Sequence, residues 1–251
     1  MTPLQKRLHA AALQLFAEKG VSEITVSELA QVAGVARGTI YNNLGSIESL
    51  FADVANQLSA EMNQRVVKSA DPQLEPAQRL ANGIRFYVRR AHEEPQWGGF
   101  IIRYASCTQS LQDLWTGPPV QDVLAGLAQS RYSFDQSMLT SVMSLIGGAV
   151  LAAILLVLDG RKTWREAGSE TAELVLRALG IAPDEAHRLA REELPPLAPA
   201  DWILPTVSAR TLPDTPPSCL IRSCALRTAE AHPAHPAASC WLSSSDIFIF
   251  I

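Results

Sequence analysis

Residues 24 to 50 read ITVSELAQVAGVARGTIYNNLGSIESL, and their punctuation is that of two short helices joined by a tight turn. Thr25 followed three residues later by Glu28 is a capping box, so a helix is predicted to begin at Val26 and to present Leu29, Ala30 and Val32 toward a core. Gly34 ends it, because glycine supplies the left-handed backbone conformation that a turn between crossing helices needs, and Val35 plugs the angle between them. The second helix is expected from Ala36 to about Asn43. It is too short and too polar to stand alone: Arg37, Gly38, Thr39, Tyr41, Asn42 and Asn43 leave only Ile40 and Leu44 as inward anchors. Such a helix is suited to be read from outside.

The run AGVARGTIY, with TVSELA before it and a Ser-x-Glu-x-Leu helix start after it, resembles the DNA-binding domain of the TetR/AcrR family of transcriptional regulators. The close match covers roughly residues 4 to 55, including the flanking first and fourth helices. The resemblance implies that Thr25 and Ser27 touch DNA phosphates. It also implies that Arg37, Gly38, Thr39, Tyr41, Asn42 and Asn43 face the major groove and its flanking phosphates. Three positions depart from the family pattern: Asn43 stands where His or Tyr is usual, Leu44 replaces the common Phe, and Ile47 replaces a Lys that contacts phosphate.

The chain has 251 residues, enough for a small reader domain and a larger helical domain with its own core. A hydrophobic content of 47% with 18% charged residues fits a packed globular protein. The net charge of -4 does not favour a DNA binder. In the first fifty residues Lys6, Arg7, Lys19 and Arg37 are balanced by Glu18, Glu23, Glu28 and Glu48, so nonspecific attachment is expected to be weak and a dimer on matched half-sites more necessary. The start carries no signal-peptide pattern; a cytoplasmic location and reduced cysteines are the expectation.

Further along, Thr2, Pro3 and Gln5 start a first helix whose stripe is Leu8, Ala12, Leu15 and Phe16, with Lys19 in its last turn and Gly20 as the stop. Ser46 caps a long fourth helix carrying Leu50, Phe51, Val54 and Leu58. After breaks at Asp71-Pro72 and Pro76, a helix to Glu93 repeats Leu80, Ile84, Tyr87, Val88 and Ala91. Trp97 to Cys107 is an apolar, aromatic helix, and another runs from Gly117-Pro118-Pro119 to about Tyr132. Met138 to Leu158 carries no charge and has two readings, a bilayer span and a helix buried at the centre of a soluble fold; Ser133 with Gln136 as a capping box, and the Asp159-Gly160 stop, favour the second. Thr163 with Glu166 caps the next helix, with Ala167, Thr171, Leu174, Val175, Ala178 and Leu179 along one face up to Gly180. This pair of helices resembles the one the family uses to dimerise through a four-helix bundle, and Gly148 and Ala152 are spaced for close helix approach.

From Leu194 onward prolines are scattered through residues 195–251 without a helical period, which reads as a disordered tail. Cys219, Cys224, His232, His235 and Cys240 lie in it, but their spacings are not those of a zinc finger and no metal is assigned. No paired carboxylates, Cys/His couple or phosphate-cradling loop marks an enzyme, and no cofactor is expected. Trp97, Phe100, Arg103, Tyr104, Cys107 and Trp115 are the candidate lining of a pocket for an apolar or acidic effector, with core packing as the competing reading for each. The sequence thus predicts an all-α protein: a three-helix reader (1–50, the match reaching about 60 through the fourth helix), an effector-binding and dimerisation domain (51–194) and the tail. The expected function is a homodimeric, ligand-responsive repressor on a palindromic double-stranded DNA operator, with no membrane partner. The competing functions are a membrane-associated sensor built on the 138–158 helix and an interaction protein with a degenerate reader.

Overall fold

The computed structural model describes residues 2–105 and 117–199. Ten α-helices and two short 3-10 helices make up these residues, with no strand among them. The first three helices form the reader. In α1 (Pro3–Glu18) the Thr2 hydroxyl accepts from the Gln5 amide while the Gln5 side chain reaches back, and Lys19 lies just beyond the last turn as the cap. A 3-10 turn at Val21–Glu23 leads to α2 (Val26–Ala33) and α3 (Arg37–Asn43). Leu8, Leu13, Phe16, Leu29, Ala30 and Ile40 close their shared core. Val32, expected inside, is exposed, and Ala33 is buried in its place. Over only two turns a rotation of one position swaps the two, and it is α1 that decides which of them it covers.

The 23-residue α4 (Ile47–Ser69) runs from the reader into the second domain, capped by a reciprocal Ser46/Ser49 pair. Then follow α5 (Pro76–Glu93), α6 (Pro95–Tyr104), α7 (Pro118–Ala128), α8 (Leu139–Leu158), α9 (Trp164–Ala178) and α10 (Pro183–Arg191). The hub is α5, which packs against all five helices described after it. It is also among the more polar helices. Its buried Gln78 donates to Asn82 Oδ1 (3.1 Å) and to the Leu189 carbonyl (3.0 Å), and its Arg90 is completely enclosed. Polar groups are tolerated inside when partnered, so a helix can be central without being apolar all round.

The uncharged α8, by contrast, is buried on one face only. Val142, Met143, Ile146, Val150, Ile154 and Val157 point into the core, whereas Leu145, Gly148, Ala152 and Leu155 are exposed. The segment Gln136–Leu158 is long and apolar enough to cross a membrane by length and composition, as soluble core helices also can be. Its start differs from expectation: Asp135, accepting from the Ser137 amide, caps a 3-10 turn at Gln136–Met138, and Met138 precedes α8 without a side-chain cap. Likewise α7 stops at Ala128 rather than near Tyr132, because the chain turns back and lays the Tyr132 ring on Gly126, where an added Cβ would fall 2.1 Å from the ring. In α9 the Thr163/Glu166 box forms, but the inward face is Ala167, Ala172, Val175 and Leu176, followed by Leu179; Leu174 and Ala178 face out and Thr171 is half-buried.

The polypeptide beyond α10 does not leave the body at Leu194. Residues 195–199, read from sequence as the start of the tail, form a strap on α4: Leu197 is buried, Arg65 Nε donates to the Ala198 carbonyl (2.8 Å), and the Ala198 amide donates to Ser69 Oγ (2.7 Å). The remainder of the expected tail, with its cysteines and histidines, lies outside the described residues.

Candidate nucleic-acid interface and effector cavity

The turn that sets α3 is built by backbone caps. Thr25 Oγ1 accepts from the Glu28 amide (3.2 Å), and Glu28 Oε2 accepts from the Thr25 amide (3.0 Å) and hydroxyl (2.9 Å). Lys19 Nζ sits 2.6 Å from Glu28 Oε1, and its hydrogen bond, followed by those from Thr25, holds the Glu28 carboxyl down at about 2. At the other end Gly34 takes φ 63°, the left-handed conformation, and donates to the Ala30 and Gln31 carbonyls. Arg7 then reaches from α1: its Nε and Nη2 donate to the Ala33 carbonyl (3.1 and 2.7 Å), and Nη2 to that of Gly34 (2.5 Å). Nothing in the local sequence announced this cap, since the two ends are 26 residues apart.

With that scaffold fixed, α3 buries Ile40 and half-buries Leu44. Arg37, Gly38, Tyr41, Asn42 and Asn43 are exposed, Tyr41 by 70%, and Thr39 is half-buried. Asn43 Nδ2 donates to the Thr39 carbonyl (2.8 Å), which fixes its side chain along the helix. Of the two residues at the start of α2, Thr25 is exposed and Ser27 half-buried. A Cβ added at Gly38 would meet nothing within 4 Å, so the fold itself does not require a glycine there. Ile47, the first residue of α4, is half-buried and packs against the core.

The aromatic residues singled out as an effector lining, so far as they are described, lie in the packed interior between α6, the reader and α4. Trp97 and Phe100 are fully enclosed and Tyr104 nearly so. Phe51 of α4 packs edge-on against Phe16 (5.3 Å between centroids) and Tyr104 (4.8 Å), and it sits 5.6 Å from Phe100. The Tyr104 hydroxyl donates to the Phe16 carbonyl (3.1 Å), and Arg103, half-buried, reaches the Glu18 carbonyl at 3.4 Å. These side chains therefore join α6 to the reader and to the start of α4. Cys107 and Trp115 lie outside the described residues.

Trp97 stacks under Arg90, whose guanidinium carbon is 4.5 Å from the ring centroid. Arg90 pairs with Glu61 and Glu94 (3.0 Å each), and Arg65 with Glu94 (2.8 Å), so a mostly buried ion network ties the last turns of α4 to the end of α5. Burial pushes the Glu61 carboxyl up, against the pull of Arg90. An apolar cavity of about 20 Å³ lies between α4, α5, α7 and α8, walled by Val66, Leu80, Gly83, Ile84, Tyr87 and Ile146. At its edge Arg79 Nε meets Asp122 Oδ1 at 2.6 Å, with burial pushing the Asp122 carboxyl up and Arg79 opposing it. Sequence reading missed this pair, because 43 residues separate two charges that each look like part of a solvated face. Among the described residues no group of three His, Cys, Asp or Glu is placed to hold a metal ion.

With this geometry in view, two family models match. The model for bacterial regulatory proteins of the tetR family covers residues 8–54, and that for the tetracyclin repressor-like C-terminal domain covers residues 75–192. The uncharacterized HTH-type transcriptional regulator Rv1255c of Mycobacterium tuberculosis (strain H37Rv) is 23% identical over 136 residues, 54% of this chain. The chain thus spans 61% of the length of that curated relative, and the same holds for its counterpart MT1294 in strain CDC 1551. Among solved structures, RolR in complex with its ligand resorcinol superposes with a TM-score of 0.62 at 26% identity, covering 78% of this chain and 96% of RolR. The fatty acid degradation regulator FadR from Bacillus halodurans shares the fold at 15% identity, with a TM-score of 0.61 over 72% of this chain and 99% of FadR.

Proposed function

We propose that this chain, which belongs to the TetR family of transcriptional regulators, is a cytoplasmic, homodimeric, non-enzymatic repressor that a small effector releases from a palindromic operator. The observation that carries the DNA-binding part is the outer face of α3. Arg37, Tyr41, Asn42 and Asn43 are held out by a helix whose buried anchor is Ile40, and Gly38 offers a bare backbone where no described residue fills the space. Arg37, Tyr41, Asn42 and Thr39 are assigned to base edges and flanking phosphates, Thr25 and Ser27 to phosphates, and Asn43 to a supporting contact limited by its bond to the Thr39 carbonyl.

A reader without excess positive charge needs a second copy for useful affinity. The exposed apolar stripe of α8, Leu145, Gly148, Ala152 and Leu155, together with Leu174 and Ala178 of α9, is the surface assigned to that dimer. Burying it in a four-helix contact accounts for an uncharged helix with only one face in the core better than a bilayer does, since its other face is covered by the same chain.

The effector site is assigned to the cavity between α4, α5, α7 and α8. It has room for about one water, so a ligand must part the helices that wall it, and Val66 lies on α4 itself. RolR, similar over most of this chain, binds resorcinol. A ligand of that size, apolar with polar edges that the Arg79–Asp122 pair can meet, is the class proposed here. It acts by favouring the conformation that does not bind DNA.

The test is Thr39→Ala with Tyr41→Ala in the full chain. Affinity for an operator selected from random DNA is expected to fall at least tenfold, with helical content and dimer mass unchanged, since neither residue fills the core. Unchanged affinity would reject α3 as the reading element.

A further inference from the structure

A second cavity, of about 410 Å³, lies away from both the reader and the effector cavity, between α5, the start of α9 and the end of α10. Its walls carry four guanidinium groups: Arg85 and Arg89 from α5, Arg165 from α9 and Arg191 from α10. Two carboxylates, Glu192 and Glu193, sit on the rim where the chain leaves α10, so positive charge is in excess. Trp164 forms part of the floor, with the Arg165 and Arg89 guanidinium carbons 4.4 and 5.3 Å from its centroid.

Arg85 is what sets this cavity apart from a solvated basic face. It is only 8% exposed, yet among the described residues its one hydrogen bond is a 3.5 Å contact to Asn82 Oδ1. A Cβ added at Gly168 would lie 3.5 Å from the Arg85 Cα, so α9 presses close against the residue and seals it from the other side. Glu192 acts on its charge from beyond ion-pair distance, and among the described residues no carboxylate pairs with it or with Arg165. The other two arginines are already engaged, Arg89 with Glu93 (2.7 Å) and Arg191 with Glu173 (2.5 Å) and His187 (3.0 Å). No Arg85 nitrogen is both sealed from solvent and unpartnered, so its remaining donors open onto the cavity, where a ligand or ordered water can meet them. The guanidinium's fork geometry suits the paired oxygens of a carboxylate or phosphate.

We infer that this cavity is a binding site for a small organic polyanion, an oxyanion-bearing metabolite whose clustered negative charge is received by Arg85 and Arg165, with Arg89 and Arg191 flanking it. The site is independent of the DNA-reading assignment, and its test needs no DNA. Calorimetric titration of the full chain with pyrophosphate and with citrate, at matched ionic strength in sodium chloride, should show saturable binding of at least one probe at one site per chain with a sub-millimolar Kd. Binding of pyrophosphate alone identifies a phosphorylated ligand, and binding of citrate alone a polycarboxylate. Arg85→Met should weaken that binding at least tenfold while leaving the melting temperature nearly unchanged, since the stem is replaced by one of similar length and the lost guanidinium makes one long hydrogen bond among the described residues. Arg165→Gln, a change at an exposed position that does not threaten folding, should weaken it severalfold, and Arg161→Met, exposed and not among the residues that wall the cavity, should not. Absence of saturable heat with both probes would overturn the inference. So would equal losses in the Arg161→Met and Arg165→Gln variants, which would mean that the probes respond to general surface charge.

Discussion

Replacing Arg7 with Ala should weaken DNA binding although Arg7 is not assigned to DNA. Its guanidinium caps the end of α2 by donating to the Ala33 and Gly34 carbonyls, which belong to the set a helix leaves unsatisfied at its C-terminus. A hydrogen bond to a charged group is worth about 1.5–3 kcal/mol when well enclosed. This cap is half-exposed, so the two acceptors together are given roughly 2 kcal/mol, with about 0.5 kcal/mol more from a positive charge at the C-terminal end of the α2 dipole. Losing them should lower the melting temperature by about 5–10 °C for a chain of this size. The α2–α3 turn should loosen with it, and operator affinity should fall about tenfold or more.

The salt dependence separates this positioning role from direct contact. Because the Arg7 donors are already taken by carbonyls, the log-log slope of affinity against salt should stay as it is in Arg7→Ala. A lost phosphate contact would instead reduce the slope by about 0.9 per subunit. Arg7→Lys should recover little, since an ammonium cannot reproduce a fork that serves two carbonyls. An unchanged melting temperature with a shallower slope would show that Arg7 lies on the DNA and that the cap is not maintained in solution.

Ile47→Lys should steepen that same slope by about one unit per subunit without changing base preference. Because Ile47 is half-buried against the core, the lysine stem can cover the same surface, and stability should fall by no more than about 1 kcal/mol; a flat slope with a large loss of stability would make position 47 purely structural. Truncation after Pro199 should leave unfolding unchanged, whereas Leu197→Ala should cost about 2 kcal/mol by emptying the seat of the strap on α4, and equal melting temperatures for Leu197→Ala and the parent would mean that the strap is not seated. Glu28 is held at about 2, below its ordinary 4.5, so its support of the α2 start is present above the ordinary value and lost as pH falls toward 2; Glu28→Gln should flatten acid unfolding in that window, and an unaltered acid limb would count against the Lys19–Glu28–Thr25 cluster.

What was legible in the sequence was local. The Thr2, Thr25, Ser46 and Thr163 caps and the Gly34 turn depend on residues a few positions apart, and each forms where the spacing placed it. Rotation about a helix axis was less legible. Leu174 and Val32 are apolar and in phase with a buried stripe, but among the described residues nothing covers them. The hub itself was disguised, because the buried Gln78, Asn82, Arg85 and Arg90 make α5 look like a surface helix, while the uncharged α8 looked central. At the candidate site, the exposed face of α3 followed from its shortage of apolar residues. The cavity did not, since aromatic composition cannot distinguish a ring that lines a cavity from one that fills the core, and the Arg79–Asp122 pair is made by two helices distant in sequence.

In the proposed mechanism α4 is the lever, and its two fastenings explain why a small ligand suffices. Near its start Phe51 is held among Phe16, Phe100 and Tyr104; near its end Arg65 and Ser69 are held by the strap, and Glu61 and Arg65 by the ion network with α5. With 23 residues the helix is about 34 Å long at 1.5 Å per residue, so a tilt of about 5° displaces one end by roughly 3 Å relative to the other. Val66, in the last turns, is the α4 residue that the effector cavity touches, and the reader is attached at the opposite end. A ligand that parts the helices there works at the far end of the lever from α3. The recognition helices of a dimer must keep a separation of about 34 Å to occupy successive major grooves. A displacement of a few ångströms in each subunit, in opposite senses across the two-fold axis, therefore breaks the match without unfolding either reader.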